Sequence, residues 1–262
     1  MASLTGRRIV VTRPRVQAAD LCDKLAALGA IPIQFPTIEI APLDDYTALD
    51  QAMTRLADYQ WIIFTSVNGV SAFWQRLEAA RKNSNALDGL RVAAIGPATA
   101  RALEKRGIAA QFIPDEYVAE AMVEGMGDVR GQGILLPRAD IARQALADGL
   151  RKMGAIVDEI AAYHTLIVDA HGSETLNLRA MLQRGEIDAI TFTSASTARG
   201  FVQAIDLRTE IKNPNSKIVI ACIGPITAQT VRELGLPVDV MATEYTMEGL
   251  VAALAKYFQE VP

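Results

Sequence analysis

The chain has 262 residues, half of them hydrophobic, and a formal net charge of −4. That length allows one large domain or two small ones, and the acidic balance argues against a nucleic-acid scaffold while leaving room for a local cationic site. Cys22 and Cys222 cannot build a disulfide framework and read as core residues in a reducing compartment. The N-terminus lacks the roughly 7–15-residue apolar stretch of a signal peptide, and no run approaches the ~18 apolar residues of a membrane span. The expectation is a soluble, cytoplasmic protein with no membrane or nucleic-acid partner, and a monomer by default.

In chain order, "RIVVT" (8–12) is a short apolar run with β-branched residues, hence a buried strand. Residues 15–28 carry apolar positions at helical spacing and end at Gly29, a C-cap. "AIPIQF" is a second strand, 46–58 a helix, "WIIFT" a third strand and 67–80 a helix. "RVAAI" is a strand, 98–106 a helix ended by Gly107, "AAQFI" (109–113) a fifth strand and 118–126 a helix. Strands alternating with helices call for a parallel sheet covered on both faces, the doubly wound, flavodoxin-like pattern.

The rest of the chain repeats this plan. Residues 62–123 align with 190–251 without a gap, at an offset of 128. "FTSVNGVSAF" meets "FTSASTARGF", "AAIGPATA" meets "ACIGPITA", and Glu116-Tyr117 meets Glu244-Tyr245. The segment 8–33 echoes 133–158 at an offset of 125, with Arg13 opposite Arg138. Each half also inserts a spare extended piece, "PTIEIAP" (36–42) and "YHTLIVD" (163–169). Two such pieces could pair and form a hinge between lobes. The pattern leaves open whether the lobes are tandem or the chain crosses between them.

In open α/β sheets ligands bind beyond the carboxyl ends of the strands. Thr65-Ser66, Gly96-Pro97, Thr193-Ser194 and Gly224-Pro225 all fall where a strand gives way to a helix. Small residues there let backbone N–H groups approach a ligand, and helix N-termini favour carboxylates or phosphates. Ser71, Thr99, Ser196, Thr197 and Thr227 add hydroxyls, although a Ser or Thr at a helix start is often a plain N-cap. Arg13 and Arg138, at equivalent first turns, add full charges or are surface residues. Facing lobes so equipped would make a cleft for a large polyanion. Tyr117 and Tyr245 serve packing or binding equally well. His164 and His171 are too isolated to form a metal pair and read as solvated or linker histidines, and neither cysteine has activating neighbours. P-loop, GxGxxG, HExxH and GxSxG patterns are missing, so the expected site uses backbone donors, hydroxyls and arginines, with no cofactor and no metal. It either binds a small anion without chemistry, as a two-lobed binding protein, or catalyses by orientation and charge placement.

Together "VTRP", "IIFTSVNGV", "AAIGPATARAL", "AAYHT", "ITFTSAS", "ACIGPITAQTV" and "ATEYTMEGLVAAL" resemble the uroporphyrinogen-III synthase family, in order and along almost the entire chain. The resemblance implies two flavodoxin-like domains with a crossover, 1–37 with 167–262 and 38–166, joined by a two-strand hinge ladder. It implies hydroxymethylbilane, a linear tetrapyrrole polycarboxylate, as substrate, and a lyase that closes it with loss of water and inversion of ring D in haem biosynthesis. It puts Tyr163 at the leaving hydroxyl. Thr99, Thr227, Ser66 and Ser194 match the family's hydroxyl positions and, with Thr65, Thr193, Ser196, Gly96 and Gly224 in the same turns, would hold carboxylates. Arg13 and Arg138 would supply positive charge.

Overall fold

Two four-residue runs, Trp61–Phe64 and Ala189–Phe192, are buried at every position, as strands covered on both faces must be. In the computed structural model, which describes residues 4–168, 172–207 and 218–260, each lies inside its own five-stranded sheet. The chain divides into two compact units, Met1–Glu39 with Leu166–Pro262 and Ile40–Thr165.

The first sheet contains β1 (Arg8–Val11), β2 (Ile31–Gln34), β8 (Ala189–Phe192), β9 (Val219–Cys222) and β10 (Val240–Met241), in the order β10-β9-β8-β1-β2. The second contains β3 (Ile38–Ala41), β4 (Trp61–Phe64), β5 (Arg91–Ala94), β6 (Gly133–Ala139) and β7 (Ile156–Ile167), in the order β3-β7-β6-β4-β5. The chain therefore crosses over: its first two strands share a sheet with its last three. Parallel pairing joins β1 to β2 and β8, β9 to β8 and β10, β4 to β5 and β6, and β6 to β7.

Strand alternation sends consecutive residues to opposite faces. Ile9 and Val11 enter one core and Val10 the other. Ile62 and Phe64 likewise face one core of the second sheet, while Trp61 and Ile63 face its other. Helices cover these faces. In α3 (Val67–Ala79) Val70, Phe73, Trp74 and Leu77 are buried, a helical apolar stripe. Its counterpart α8 (Ala195–Ala204) buries Ala198 and Phe201. The paired Phe residues of the duplicated motif meet edge to face in both units, Phe64 with Phe73 at 5.5 Å and Phe192 with Phe201 at 5.4 Å.

Two sequence expectations change. "AAQFI" forms no full strand, only a bridge between Ala93 and Phe112. The Gln111 side chain accepts from Val92 N at 2.5 Å, taking a place the ladder would need. At the equivalent site Asp239 accepts from Ile220 N at 2.9 Å, and β10 is only two residues long. Second, "YHTLIVD" is not a separate piece, because its described residues 163–167 are the end of the twelve-residue β7. Position 169 lies outside the described residues. β3, the other spare piece, is the hydrogen-bonded neighbour of β7. Among the described residues no helix is long and apolar enough to cross a membrane.

Candidate functional site

The carboxyl edge of the second sheet gathers Thr65, Ser66, Gly96, Thr99, Arg138 and Tyr163. Thr65 and Ser66 follow β4 directly, and Ser66 is the N-cap of α3, accepting from Gly69 N at 2.9 Å. That is the capping role expected of a serine at a helix start, but the same oxygen lies 3.0 Å from the Tyr163 hydroxyl. Tyr163 is only 6 % exposed. Burial pushes its phenol up, while hydrogen bonds from Ser66 and Asn68 and the charge of Arg138 pull the other way without reversing the shift. Tyr163 is therefore a protonated phenol at neutral pH, able to donate.

Tyr163 owes its direction to a break in register. Along β7, Ala161 pairs with Arg138 but Tyr163 pairs with Ala139, leaving Ala162 opposite nothing. Ala162 and Tyr163, though consecutive, both pack against the core beneath α3, as a β-bulge allows. Asp140, just past β6, meets this strand end. Its N–H donates to Tyr163 O at 3.2 Å, its Oδ1 accepts from Thr165 N at 3.1 Å and Ile141 N at 2.9 Å, and its Oδ2 lies 2.7 Å from His164 Nδ1. Burial opposes ionisation of Asp140, yet the bonds from His164, Thr165 and Ile141 outweigh it and hold the carboxyl below its usual range.

Arg138 is 7 % exposed, pairs with Glu159 Oε1 at 3.2 Å and donates to Arg143 O at 2.8 Å. It is a buried charge whose counter-ion is shared with Arg151, at 4.0 Å, and not a surface arginine. Its Nε is buried without a partner among the described residues.

Gly96 is the N-cap of α4 (Pro97–Glu104), so the cap offers no side chain to the first turn. A Cβ at Gly96 would stand 3.1 Å from the Tyr117 ring, which packs on the glycine. Thr99, three residues on, is 4 % exposed, and its hydroxyl has no hydrogen-bond partner among the described residues.

The first unit repeats this edge. Gly224 caps α9 (Pro225–Glu233), Tyr245 packs on it at 3.2 Å from a would-be Cβ, and the Thr227 hydroxyl, in a residue 5 % exposed, is equally unpartnered among the described residues. Thr193 and Ser194 follow β8. Ser194 forms a capping box with Thr197 and meets Ser196 Oγ at 3.0 Å, so its hydroxyl is engaged within its own turn. Arg13, after β1, is half-buried. It donates to Gln17 O at 3.0 Å and Gln17 Oε1 at 3.2 Å, and lies 3.5 Å from the sulfur of Met247, the first residue of α10 (Met247–Glu260). Among the described residues no carboxylate pairs with it, and burial lowers its pKa, with Asp20 acting in the other direction.

Sequence reasoning missed Asp140; His164 is partly exposed, as the solvated reading has it, but lies in β7 as a partner of Asp140 and not in a linker. His171 lies outside the described residues. Asp140 has no counterpart in the internal repeat, since it aligns with Arg15, so self-similarity could not flag it. Cys22 and Cys222 are buried, and burial pushes the Cys222 thiol up to about 12, which leaves it no nucleophilic thiolate. No group of three His, Cys, Asp or Glu among the described residues could hold a metal.

Residues 19–252 match the family model described as uroporphyrinogen-III synthase HemD. The chain is 35 % identical over 261 residues to a uroporphyrinogen-III synthase of Synechococcus elongatus, covering 98 % of this chain and 97 % of that one. It is 30 % identical over 253 residues to the Chlorobaculum parvum enzyme of that name, covering 95 % and 98 %. Among solved structures, a mutant uroporphyrinogen III synthase from Thermus thermophilus superposes with a TM-score of 0.71 at 20 % identity, covering 97 % of this chain and all of that one. The Helicobacter pylori uroporphyrinogen-III synthetase gives a TM-score of 0.57 at 18 % identity, with the same coverage.

Proposed function

The chain belongs to the uroporphyrinogen-III synthase family, enzymes of the lyase class, and from that premise we propose how its residues act on hydroxymethylbilane. The substrate's terminal pyrrole nitrogen expels the hydroxyl, breaking the C–O bond and leaving a cationic azafulvene. Tyr163 donates its phenolic proton to the departing oxygen, which leaves as water. The cation is then attacked by the substituted carbon of ring D. The spiro intermediate rearranges, and the proton released at final closure restores the donor. Closure at the free position of ring D would instead give the type I isomer, so the enzyme's main task is to hold ring D, with general-acid help.

The observation that carries the assignment of Tyr163 is its protonated hydroxyl beside Ser66 at the carboxyl edge. Thr99 and Thr227, with the amides of their first turns, bind carboxylates, supported by hydroxyls that find no partner among the described residues. Thr65, Ser66, Gly96, Thr193, Ser194, Ser196 and Gly224 shape the same turns. Arg13, which pairs with no carboxylate among the described residues, offers a full charge to the substrate. Arg138, already tied to Glu159, contributes through its field. The net charge of −4 supports a soluble enzyme that acts, as we read it, as a cytoplasmic monomer without nucleic acid.

The test is incubation with enzymatically generated hydroxymethylbilane and separation of the isomers. Type III product is expected. Type I alone, at the uncatalysed rate, removes the proposal. Tyr163→Phe should lower kcat by about ten- to a hundredfold without abolishing formation of type III.

A further inference from the structure

A bulge that aims a functional side chain needs something to hold it, because the extra residue forfeits its ladder bonds. Ala162 is that residue here, and the backbone on its C-terminal side is gripped by Asp140. The grip spans Tyr163. Asp140 N–H takes the Tyr163 carbonyl at 3.2 Å, and Asp140 Oδ1 takes the Thr165 amide at 3.1 Å. Ile141 N–H, at 2.9 Å, fixes the same Oδ1 from its own loop. His164, on the strand between Tyr163 and Thr165, closes on the other oxygen at 2.7 Å. The three groups on the carboxylate, and the carbonyl held by the Asp140 N–H, thus all belong to the two strand ends that meet at the bulge.

We propose that Asp140 is the positioning residue for Tyr163: it locks the one-residue bulge at Ala162 and so directs the phenol at Ser66 and the reacting end of the substrate. Asp140 does not touch the substrate. This proposal rests on the reading of Tyr163 given above. Nothing about it follows from the tyrosine motif, since Asp140 faces an arginine, Arg15, in the repeat and its partners are mostly backbone.

Three variants separate this role from simple stability. Asp140→Ala removes the acceptor. Asp140→Asn keeps a carbonyl oxygen for the Thr165 and Ile141 amides. Tyr163→Phe supplies the background for a double-mutant cycle. In Asp140→Ala, amide exchange at residues 163–165 should accelerate at least about tenfold. Its kcat should fall at least about tenfold with KM within about twofold, as expected when a reacting group is misplaced while binding is kept. Asp140→Asn should restore both to within about threefold. In the Tyr163→Phe background, Asp140→Ala should cost little further kcat, because the group it aims is gone. Unchanged exchange and kcat in Asp140→Ala overturn the proposal, and so does an equal loss of kcat with and without the Tyr163 hydroxyl. If Tyr163→Phe is as active as the parent, the reading of Tyr163 fails instead, and the exchange measurement still decides whether Asp140 locks the bulge.

Discussion

Thr99 and Thr227 each stand three residues past a glycine N-cap, almost fully buried, yet with hydroxyls that bond to nothing in the protein among the described residues. Neither oxygen is among the buried unpartnered side-chain atoms of the described residues, so solvent, and hence a ligand, can reach both, and the fold does not depend on either hydroxyl. Thr197 is the counter-example: its Oγ1 donates to Ser194 O at 2.8 Å inside a capping box. The near-isosteric change to valine should separate the two kinds. Thr99→Val and Thr227→Val should leave the melting temperature unchanged or raised, while KM for hydroxymethylbilane rises several-fold. Thr197→Val should lose about 1 kcal/mol of stability, read by urea unfolding, with a smaller effect on KM. A destabilised Thr99→Val with unaltered KM would mean that its hydroxyl serves the fold. At this scale the sequence showed which hydroxyls stand at helix starts but not which ones are occupied. Ser66 and Ser194 look alike in sequence, yet one meets a tyrosine hydroxyl and the other is consumed by its own cap.

Between elements, α8 comes close to the segment after β2 in the first unit. A Cβ on Gly200 would stand 2.5 Å from Thr37 O. Thr37 is itself held there, donating to Thr197 O at 2.9 Å and Thr12 O at 3.2 Å. Helix propensity favours alanine over glycine by about 1 kcal/mol, whereas overpacking against fixed backbone costs about 1–3 kcal/mol. The steric effect should win, because backbone cannot step aside as a side chain can. Gly200→Ala is therefore expected to lower the melting temperature, and a stabilised variant would show that α8 can shift. The helices and buried strands were legible because their apolar periodicity is strong. The edge was not. Gln111 and Asp239 occupy ladder positions with side chains, and local propensity cannot register that substitution. Nor could alternation locate the bulge at Ala162, since it appears only when β7 is laid against β6.

Across the whole molecule, the duplication was plain in the sequence, but the assignment of strands to sheets required the family resemblance, since tandem and crossed-over halves have the same periodicity. Their consequences for folding differ. The buried residues of both core clusters of the second sheet lie between Leu49 and Tyr163, with Ile40 and Tyr46 packed against them. The clusters of the first sheet mix the two ends of the chain: Leu4, Ile9, Leu21 and Leu25 pack with Val219, Leu250 and Leu254. A fragment spanning 37–168, which contains β3 to β7 entire, should accordingly fold alone, with a single cooperative urea transition and dispersed amide resonances. A fragment spanning 166–262 should not. It lacks β1, the neighbour of β8, so it would expose a buried, all-apolar strand as an edge, the arrangement that leads to aggregation. Adding a peptide of residues 1–37 should rescue it by restoring β1, β2 and α1 (Arg15–Ala27), since anything that binds only the folded form stabilises it. A cooperative transition in 166–262 without the peptide would show that the N-terminal strands are dispensable to that core, and the crossover would then carry no energetic weight.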